Sequence, residues 1–517
     1  MAISFYCGKF SDNPFKPSKV VYNSSMTANT AQTQQSGVPE GFFFGDICLL
    51  GFGVTGRAVL EYFLKHPGQY SSLAVYGASD AETSPYITQK LPNNIAIYNN
   101  QQEVIGDFDL AVASPGIPPH TLLYQSAQRC AREIISEPEL AWRISPERWI
   151  AVTGTNGKTT TTTLIQHLLK TAGIPSKTAG NIGNPCIETL ARRELDEYLV
   201  VELSSYQLFS TAQLAPGVAV LLGITPDHLS WHGSHEDYEQ SKLKLLANLD
   251  QQSFAVIDAT QDTTRSALRQ MRDNGNRVLG IGTADGLTGS MVTRCGAANA
   301  AYLDENTQRL MVIINNASYE LCRAEDLKIL GMHNLTNALA AAAVALYLGA
   351  SSKDVIAGLT SFQPLEHRFE PCGEVGGIRF YNDSKATNID ASIKAVEAFG
   401  DSPHRHVVML LGGRDKDTDL SELVAACSRC CHTVICFGEA APRFFGAFNS
   451  CDAFATIQVE NFKEACDAAV AHSTKGDVVL LSPACASFDE FPCFEERGFA
   501  FKNFVANLDT RTPPWDS

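Results

Sequence analysis

The chain has 517 residues, of which 44% are hydrophobic and 19% are charged, and its formal net charge at pH 7 is −16. This length exceeds one ordinary hydrophobic core and predicts about three domains. The acidic balance excludes a nonspecific binder of nucleic acid or of anionic membranes, because such a surface repels phosphates at long range. Any phosphate-binding site must therefore be local.

The N-terminus and the cysteines indicate the compartment. The stretch MAISFYCGKFSDNPFK lacks the continuous apolar segment of a secretory signal. The chain has 15 cysteines, an odd number. Both observations favour free thiols in a reducing cytoplasm. A metal role for Cys427, Cys430 and Cys431 is disfavoured, since no second pair lies at zinc-finger spacing. The longest uncharged apolar stretch, 338–350, is shorter than the roughly 20 residues of a membrane span. We expect a cytoplasmic monomer without membrane or nucleic-acid partners.

The chain changes character near residue 46. Residues 1–45 are polar and irregular and are predicted to be a disordered extension. Residues 46–145 then read as a small Rossmann-like domain, with a buried strand, the motif Gly51-x-Gly53-x-x-Gly56 and an amphipathic helix. A dinucleotide-binding site has an acidic residue at the end of the second strand, a position that Gly77 occupies in this chain. NAD binding is therefore disfavoured, while a nucleotide-sugar site or a purely structural turn remains open.

A phosphate loop begins the second predicted domain, residues 146–364. An apolar strand is followed by a glycine-containing loop and a helix start, an arrangement that aims backbone N–H groups at an anion. Lys158 adds a point charge and Thr159 offers a hydroxyl to Mg²⁺. The loop is two residues shorter than G-x-x-x-x-G-K-[ST], but its context favours ATP or a close relative over a chance turn. The predicted loop residues are Gly154, Thr155, Asn156, Gly157, Lys158, Thr159 and Thr160.

Three further polar residues of this domain, Glu202, His228 and Lys242, are candidates for the functional site, and the sequence supports Glu202 more strongly than the other two. Glu202 lies within an apolar strand, where a carboxylate is unfavourable unless it is paired or bound to a metal, so it is a candidate Mg²⁺ ligand with a structural ion pair as the alternative. His228 and Lys242 follow a strand and occupy a helix, respectively. Spacing alone would not distinguish either from an ordinary core or solvated residue.

A third α/β block is predicted over residues 365–517. Polar loops follow three of its strands: the run Asn382–Asn388, the segment LLGGRDK that contains Lys416, and SPACASFDEF over 482–491. Open α/β sheets bind ligands at the carboxyl ends of their strands, so these loops predict one binding face. The alternation of strands and helices throughout predicts three α/β domains with parallel sheets: two Rossmann-like domains flanking a central P-loop ATPase-type domain.

Taken in order, these strings resemble one family. TGTNGKTTT, GNIG, ELSSYQL, TPDHL, GMHNLTNALAA, PLEHRFE, NDSKATN, LLGGRDK and LLSPACASFDEF are similar to the motifs of the Mur ligases, the amide-forming enzymes of peptidoglycan assembly. The resemblance runs from about residue 46 to the C-terminus and excludes the extension. It implies an ATP-dependent ligase in which a substrate carboxylate is phosphorylated to an acyl phosphate and then captured by the amine of an amino acid. The third-domain strings favour the members that add D-glutamate to UDP-N-acetylmuramoyl-L-alanine.

The resemblance also implies roles for individual residues. Lys158 and the loop amides would hold the β- and γ-phosphates, while Thr159 and Glu202 would hold one Mg²⁺. His228 and a carbamylated Lys242 would hold a second Mg²⁺. The remaining nucleotide contacts would be Asn337 near adenine, Arg368 near phosphate, Asp383 at the ribose and Lys385 beside the phosphates. The substrate contacts implied in the same way are Thr55, Ser114, Pro115, Gly116 and Asn181 on the nucleotide-sugar side, and Thr387, Lys416, Ser487 and Phe494 for the amino acid.

Two departures from the family pattern and three rival functions remain. Gly77 replaces an acidic uracil contact, with Asp80 as a possible substitute, and Arg414-Asp415 alters the loop before Lys416.

The nearest rival is another ligase of the superfamily, one that adds meso-diaminopimelate or L-alanine, or one that adds glutamate to folate. A P-loop switch or kinase is disfavoured because no N-K-x-D tetrapeptide is present, and a non-catalytic binding protein is disfavoured because Lys158 and the metal-ligand candidates are intact.

Overall fold

A computed structural model describes residues 42–79, 91–283, 286–289, 299–400 and 405–508. Almost all of the predicted extension 1–45, and Asp80, lie outside these described residues. The described strands form three sheets. The parts of the chain that carry them are called the first, middle and third lobes below. The expected architecture of three α/β units is confirmed.

The first lobe contains a five-stranded, all-parallel sheet in the order β3-β2-β1-β4-β5. β1 is completely apolar after Asp46 and is buried, as expected for a central parallel strand. The glycine motif lets the chain turn tightly into the first helix, because a Cβ on Gly56 would lie 2.2 Å from the carbonyl oxygen of Gly51. The elements are β1 Asp46–Leu50, α1 Val54–Lys65, β2 Ser72–Ala78, β3 Ile95–Asn99, β4 Leu110–Ala113, α2 Leu122–Cys130, β5 Ile134–Ser136 and α3 Glu137–Ile144.

The middle lobe is built on a sheet of ten described strands in the order β15-β14-β13-β11-β10-β9-β6-β8-β7, with β12 paired to β13. Its strands are β6 Trp149–Thr153, β7 Ser176–Gly180, β8 Tyr198–Glu202, β9 Val218–Leu221, β10 Phe254–Asp258, β11 Arg277–Ile281, β12 Thr288–Gly289, β13 Asn299–Asp304, β14 Arg309–Ile314 and β15 Ala317–Arg323. Its helices are α4 Lys158–Thr171, α5 Cys186–Leu190, α6 Ser205–Phe209, α7 Leu229–His232, α8 His235–Leu243, α9 Asp262–Asp273, α10 Met332–Tyr347 and α11 Ser352–Ser361.

The expectation of a wholly parallel middle sheet is wrong at one edge. β13, β14 and β15 pair antiparallel to one another. The two residues between β14 and β15, Asn315 and Asn316, have φ values of 51° and 67°. Positive φ at both central residues is the geometry of a tight hairpin turn, and asparagine tolerates it better than most residues. The edge therefore continues as a meander, without crossover helices.

The alanine-rich stretch forms the buried helix α10, as predicted. Every side chain from Ala338 to Ala345 is fully buried, and the helix packs against α4, which carries the phosphate loop at its start. Small side chains allow this close approach. Among the helices of the described residues, none is long and apolar enough to cross a membrane.

The third lobe has six described strands in the order β16-β17-β21-β18-β19-β20, parallel except for the β16–β17 pair. The antiparallel edge strand β16 was not predicted. The elements are β16 Glu370–Val375, β17 Ile378–Asn382, α12 Ile389–Glu397, β18 Val407–Gly412, α13 Ser421–Cys430, β19 Cys431–Phe437, α14 Ala441–Phe448, β20 Ala455–Gln458, α15 Phe462–Ala471, β21 Val478–Ala484 and α16 Phe494–Leu508.

The hydrophobic cores divide unequally among the lobes. One continuous cluster joins first-lobe residues such as Ile47 to middle-lobe residues such as Trp149 and Tyr238. The two main clusters of the third lobe contain only residues from its own sheet and helices. No disulfide bond joins any of the cysteines in the described residues.

Candidate active site

The phosphate loop lies between β6 and α4, where the sequence predicted it. Gly157 caps the helix with φ of 81°, and a Cβ at this position would lie 2.3 Å from Oδ1 of Asn337. Asn337 is buried on α10 and also accepts a hydrogen bond of 3.1 Å from the Thr161 hydroxyl. The glycine is thus required both by the turn and by the close approach of Asn337.

A pocket opens beside this loop, between the middle and third lobes. It brings together seven of the residues predicted to bind nucleotide, from four separate parts of the chain. These are Asn156, Gly157, Thr160, Asn337, Arg368, Asp383 and Lys385. The other loop residues on that list, Gly154, Thr155, Lys158 and Thr159, adjoin them in sequence.

Cationic side chains crowd the phosphate end of the site. Burial lowers the pKa of Lys158, whose Nζ donates to the carbonyl of Thr155 at 2.8 Å. Arg368 donates from Nη2 to Oγ1 of Thr159 at 2.6 Å, and burial also lowers its pKa. Burial, followed by the charge of Arg368, lowers the pKa of Lys385 to about 8. Such a cluster is favourable only when an anion compensates it, as a polyphosphate would.

Asp383 faces the same pocket from the end of β17. Its Oδ2 accepts from the Ser482 hydroxyl at 2.8 Å, and its Oδ1 accepts from the backbone N–H of Phe369 at 3.1 Å. Burial raises its pKa to about 7. The carboxyl is therefore held rigidly and is able to accept hydrogen bonds from a ligand hydroxyl.

Lys242 is the most unusual lysine of the described chain, with 1% of its surface exposed. Its Nζ donates to the carbonyl of Gly154 at 2.7 Å and lies 4.8 Å from the centre of the Tyr238 ring. Burial, reinforced by the charge of Lys158, lowers its pKa well below the ordinary value. The interpretation of Lys242 as a solvated helix residue, which its spacing alone suggested, is excluded.

Glu202 has one satisfied and one unsatisfied oxygen. Its Oε1 accepts from Nδ2 of Asn181 at 2.8 Å, whereas Oε2 is buried without a hydrogen-bond partner. Glu202 forms no salt bridge in the described part of the chain, although its charge opposes the lowering by burial of the pKa of Lys158 and of Arg368. A buried carboxylate oxygen without a partner is costly, and a hard cation would satisfy it.

Asp227 and His228 lie in the loop that follows β9 and leads to α7. His228 adopts φ of 55°, and its Nδ1 lies 2.7 Å from the Tyr206 hydroxyl. Burial lowers the pKa of His228 to about 4, so the ring is neutral at pH 7. The pKa of Asp227 is lowered, because His228 and Lys416 together outweigh the opposing effect of burial.

No group of three or more His, Cys, Asp and Glu side chains in the described part of the chain forms a ready-made metal site. A cation at Glu202 would therefore draw its other ligands from hydroxyls, ligand phosphates or a modified lysine. The unpartnered Oε2 of Glu202 and the hydroxyl of Thr159 are oxygen donors of the kind that such an arrangement needs, since Mg²⁺ is bound in this way by few protein groups plus phosphates.

The predicted acceptor residues lie on the third lobe and face the middle lobe. Thr387, Lys416 and Ser487 follow β17, β18 and β21, and Phe494 begins α16. Nζ of Lys416 lies 4.0 Å from Oδ1 of Asp227, across the seam between the lobes. The Phe494 ring lies 3.5 Å below Nζ of Lys385, which links the acceptor residues to the nucleotide pocket.

The first-lobe candidates form a separate group at the carboxyl ends of β1 and β4. The backbone N–H of Ser114 donates to the carbonyl of Leu50, and its hydroxyl lies 3.4 Å from the carbonyl of Gly51. Thr55 is the second residue of α1, within the glycine motif, and Pro115 and Gly116 continue the loop from Ser114. Gly77 at the neighbouring strand has φ of 73°.

The sequence did not single out several residues of the site. His333 and Lys394 line the nucleotide pocket, and burial lowers the pKa of His333 to about 4. Asp390 contacts the phosphate loop, and Arg497 lies beneath the acceptor loops. His333 stands within the motif GMHN, which was a usable signal. Nothing in the local pattern distinguishes Asp390 or Arg497 from ordinary helix residues.

Three family models match consecutive parts of the chain. They are described as the Mur ligase MurD-like N-terminal domain, over residues 45–136, the Mur ligase middle domain, over 152–345, and the Mur ligase glutamate ligase domain, over 367–485. The chain belongs to the Mur ligase family. The resemblance read from the sequence is thereby confirmed.

Curated Mur ligases cover nearly the whole chain. A UDP-N-acetylmuramoylalanine–D-glutamate ligase from Alkaliphilus metalliredigens is 34% identical over 468 residues, covering 89% of this chain and 98% of the relative. The protein of the same name from Syntrophus aciditrophicus is 33% identical, with 90% and 99% covered.

Solved Mur ligase structures share the fold. The UDP-N-acetylmuramate-alanine ligase MurC from Thermotoga maritima superposes with a TM-score of 0.53 at 17% identity, covering 89% of this chain and 99% of its own. MurF from the same organism, solved in complex with ADP, gives 0.51 at 18% identity, covering 79% and 96%.

Proposed function

We propose that this Mur ligase joins D-glutamate to UDP-N-acetylmuramoyl-L-alanine at the expense of ATP, forming an amide in cytoplasmic peptidoglycan precursor synthesis. Relatives that carry this name match at 32–36% identity. Residues 46–145 would hold the nucleotide sugar, 146–364 the ATP and 365–517 the amino acid.

The observation that carries the proposal is the pocket between the middle and third lobes. It combines a phosphate loop with Arg368 and Lys385, neither of which forms a salt bridge with a carboxylate among the described residues. A nucleoside triphosphate supplies the missing negative charge, and Asp383 is placed to accept hydrogen bonds from a ribose hydroxyl. Asn337 would face the base.

The chemistry needs charge neutralisation and alignment more than acid–base groups. The substrate carboxylate attacks the γ-phosphorus, and the bond to the β-phosphate oxygen breaks, giving ADP and an acyl phosphate. The amine of the amino acid then attacks the acyl carbon, loses a proton and expels phosphate to leave the amide. Lys158 and Arg368 would balance the charge on the transferred group, and the neutral His228 would not repel the metal.

Two Mg²⁺ ions are part of the proposal. Glu202, through its unpartnered oxygen, and Thr159 would hold one, and His228 and Lys242 the other. When bound, the ions neutralise phosphate charge. A lysine suits such a site only if its amine is converted to a carbamate. This reaction needs the neutral amine, which the lowered pKa of Lys242 supplies.

The amino acid would lie on the third lobe. Lys416 provides a cation for a carboxylate, and Thr387, Ser487 and Phe494 surround the same face. The nucleotide sugar would contact Thr55, Ser114, Pro115 and Gly116 of the first lobe, with Asn181 near its reacting end. Asn181 is anchored by Glu202, which ties this contact to the metal ligand.

ADP release by the purified protein tests the function. With ATP, magnesium and UDP-N-acetylmuramoyl-L-alanine, we expect release that depends on D-glutamate and is at least about a hundredfold slower with L-glutamate. Dependence on meso-diaminopimelate or L-alanine would assign another ligase of the family. Release that is independent of any amino acid would favour a nucleotide switch.

A further inference from the structure

Arg497 is the largest charged side chain buried in the described residues, with 1% of its surface exposed. It lies on the first turn of α16, one turn after Phe494. An arginine cannot discard its charge, and transferring it from water to a protein interior costs several kcal/mol unless strong partners compensate. The partners of Arg497 therefore require explanation.

All five N–H groups of the guanidinium find an acceptor. Nε donates to the Ser384 hydroxyl and Nη2 to the carbonyls of Ser384 and Cys485, each at 3.0 Å. Nη1 lies 3.4 Å from the carbonyls of Gly412 and Ala486. A cation held only by neutral groups keeps its full positive charge.

No carboxylate within 4.0 Å shares that charge among the described ion pairs. The carboxylates of Asp489 and Glu490 act on this charge from farther away, while Asp489 accepts a hydrogen bond from the backbone of Glu439 and Glu490 accepts one from the backbone of Phe462. Burial lowers the pKa of Arg497 to about 10, which still leaves it protonated at pH 7. The groups in direct contact with the guanidinium are thus all neutral acceptors from the loops around it.

The acceptors of Arg497 belong to the three loops of the predicted amino-acid face. Ser384 precedes Thr387, Gly412 precedes Lys416, and Cys485 and Ala486 lead directly to Ser487. The Ser384 hydroxyl also donates to the carbonyl of Phe494 at 2.8 Å. The fit at the centre is close, since a Cβ on Gly413 would lie 3.0 Å from Nη1 of Arg497.

We propose that Arg497 is a positioning residue for the amino-acid substrate: its guanidinium fixes the three acceptor loops relative to one another. The inference rests on the proposed function of the third lobe. Arg497 does not touch the substrate.

Steady-state kinetics of Arg497→Met and Arg497→Lys test the proposal, with Arg379→Met as a control at an exposed arginine of the same lobe. We expect Arg497→Met to raise KM for D-glutamate at least about tenfold while KM for ATP stays within about twofold. Arg497→Lys retains the charge without the fork and should recover part of the loss. The control should leave both constants unchanged.

A purely structural role gives a different result. KM for ATP and D-glutamate would then rise together, or D-glutamate binding would be unaffected in a folded variant, and either result overturns the proposal. If Arg497→Met does not fold, KM for D-glutamate and KM for ATP are compared in Arg497→Lys instead. An unchanged KM for D-glutamate in that variant also overturns the proposal. If the wild-type protein uses a different amino acid, no ligation of D-glutamate is observed. The role of Arg497 is then decided by comparing KM for that amino acid between the wild type and the variants.

Discussion

Asp390, on the first turn of α12, accepts a hydrogen bond of 2.5 Å from the side-chain amide of Asn156 in the phosphate loop. The same carboxylate oxygen accepts from the Thr225 hydroxyl at 3.1 Å and from Nζ of Lys394 at 2.8 Å. Asn388 adds a bond of 3.0 Å to Asp227. The third lobe is thus joined to the loop that would hold ATP by side chains at the start of one helix.

Replacing Asp390 by alanine should weaken this junction. Losing hydrogen bonds to a charged group costs about 1.5–3 kcal/mol, so we expect kcat/KM for ATP to fall about tenfold or more with little change in thermal stability. Asp273→Ala, at an exposed middle-lobe carboxylate, is the control. Small-angle scattering should show a larger mean radius for Asp390→Ala than for wild type. Identical scattering and kinetics would refute the role.

Lys242→Ala should reduce ligation at least about a hundredfold while ATP binding, measured by calorimetry, is largely retained. The proposed carbamate oxygens would be lost, whereas the phosphate loop would stay intact. A short carboxylic acid such as acetate should restore part of the activity by placing oxygens in the vacated space. Lys170→Ala, at an exposed lysine of α4, is the matched control. Normal turnover by Lys242→Ala would contradict the carbamate role.

Glu202→Gln should uncouple nucleotide binding from magnesium. Because the unpartnered Oε2 is the proposed ligand, the magnesium concentration for half-maximal activity should rise at least about tenfold. In equilibrium binding measurements without the other substrates, the affinity for ATP should increase with magnesium concentration in the wild type and much less in the variant. Glu188→Gln on the exposed face of α5 serves as the control. Equal magnesium responses would exclude Glu202 as a ligand.

The buried Glu137 predicts a pH dependence of stability. Burial raises its pKa from 4.5 to about 7, and its Oε1 accepts from the backbone N–H of Ile187 at 2.6 Å. The folded state thus holds its proton more tightly than the unfolded state. This contribution to stability is present below pH 4.5, is lost as pH rises to about 7, and stays lost above that value.

Glu137→Gln should remove this dependence, since an amide oxygen can still accept the backbone hydrogen bond. Relative to wild type, the variant should gain roughly 1–3 kcal/mol in unfolding free energy on going from pH 5 to pH 8. Denaturant titrations at the two pH values measure the difference. Glu147→Gln, at an exposed position, should show no such change. A pH-independent difference would mean that Glu137 is ionised in the folded state at both values.

The sequence predicted those parts of the fold that depend on local pattern. The buried strand before Gly154, the helix from Lys158 and the alanine-rich helix all carry their own periodicity or turn chemistry. The antiparallel edge β13–β15 was missed, although Asn315-Asn316 between β14 and β15 is a recognisable hairpin turn.

For the candidate site, the polar loops after successive strands predicted a binding face but not its full set of residues. All seven pocket residues lie among those predicted to bind nucleotide, but Asn337 and Arg368 were implied only by the family resemblance. Asp390 and Arg497 could not be found in this way. Their roles depend on partners 234 and 113 residues away in sequence, Asn156 and Ser384, and such pairings are set by the tertiary fold alone.

The separate hydrophobic clusters of the third lobe have a consequence for how the enzyme can be re-engineered. The first two lobes share one apolar interior, so neither can be exchanged without repacking the other. The third carries its own, and it also carries the residues proposed to choose the amino acid. The third lobe could therefore be replaced as a unit by that of a homologue, which would bring a new preference for the amino acid. The replacement would still need an acidic residue in the place of Asp390 to accept the hydrogen bond from Asn156.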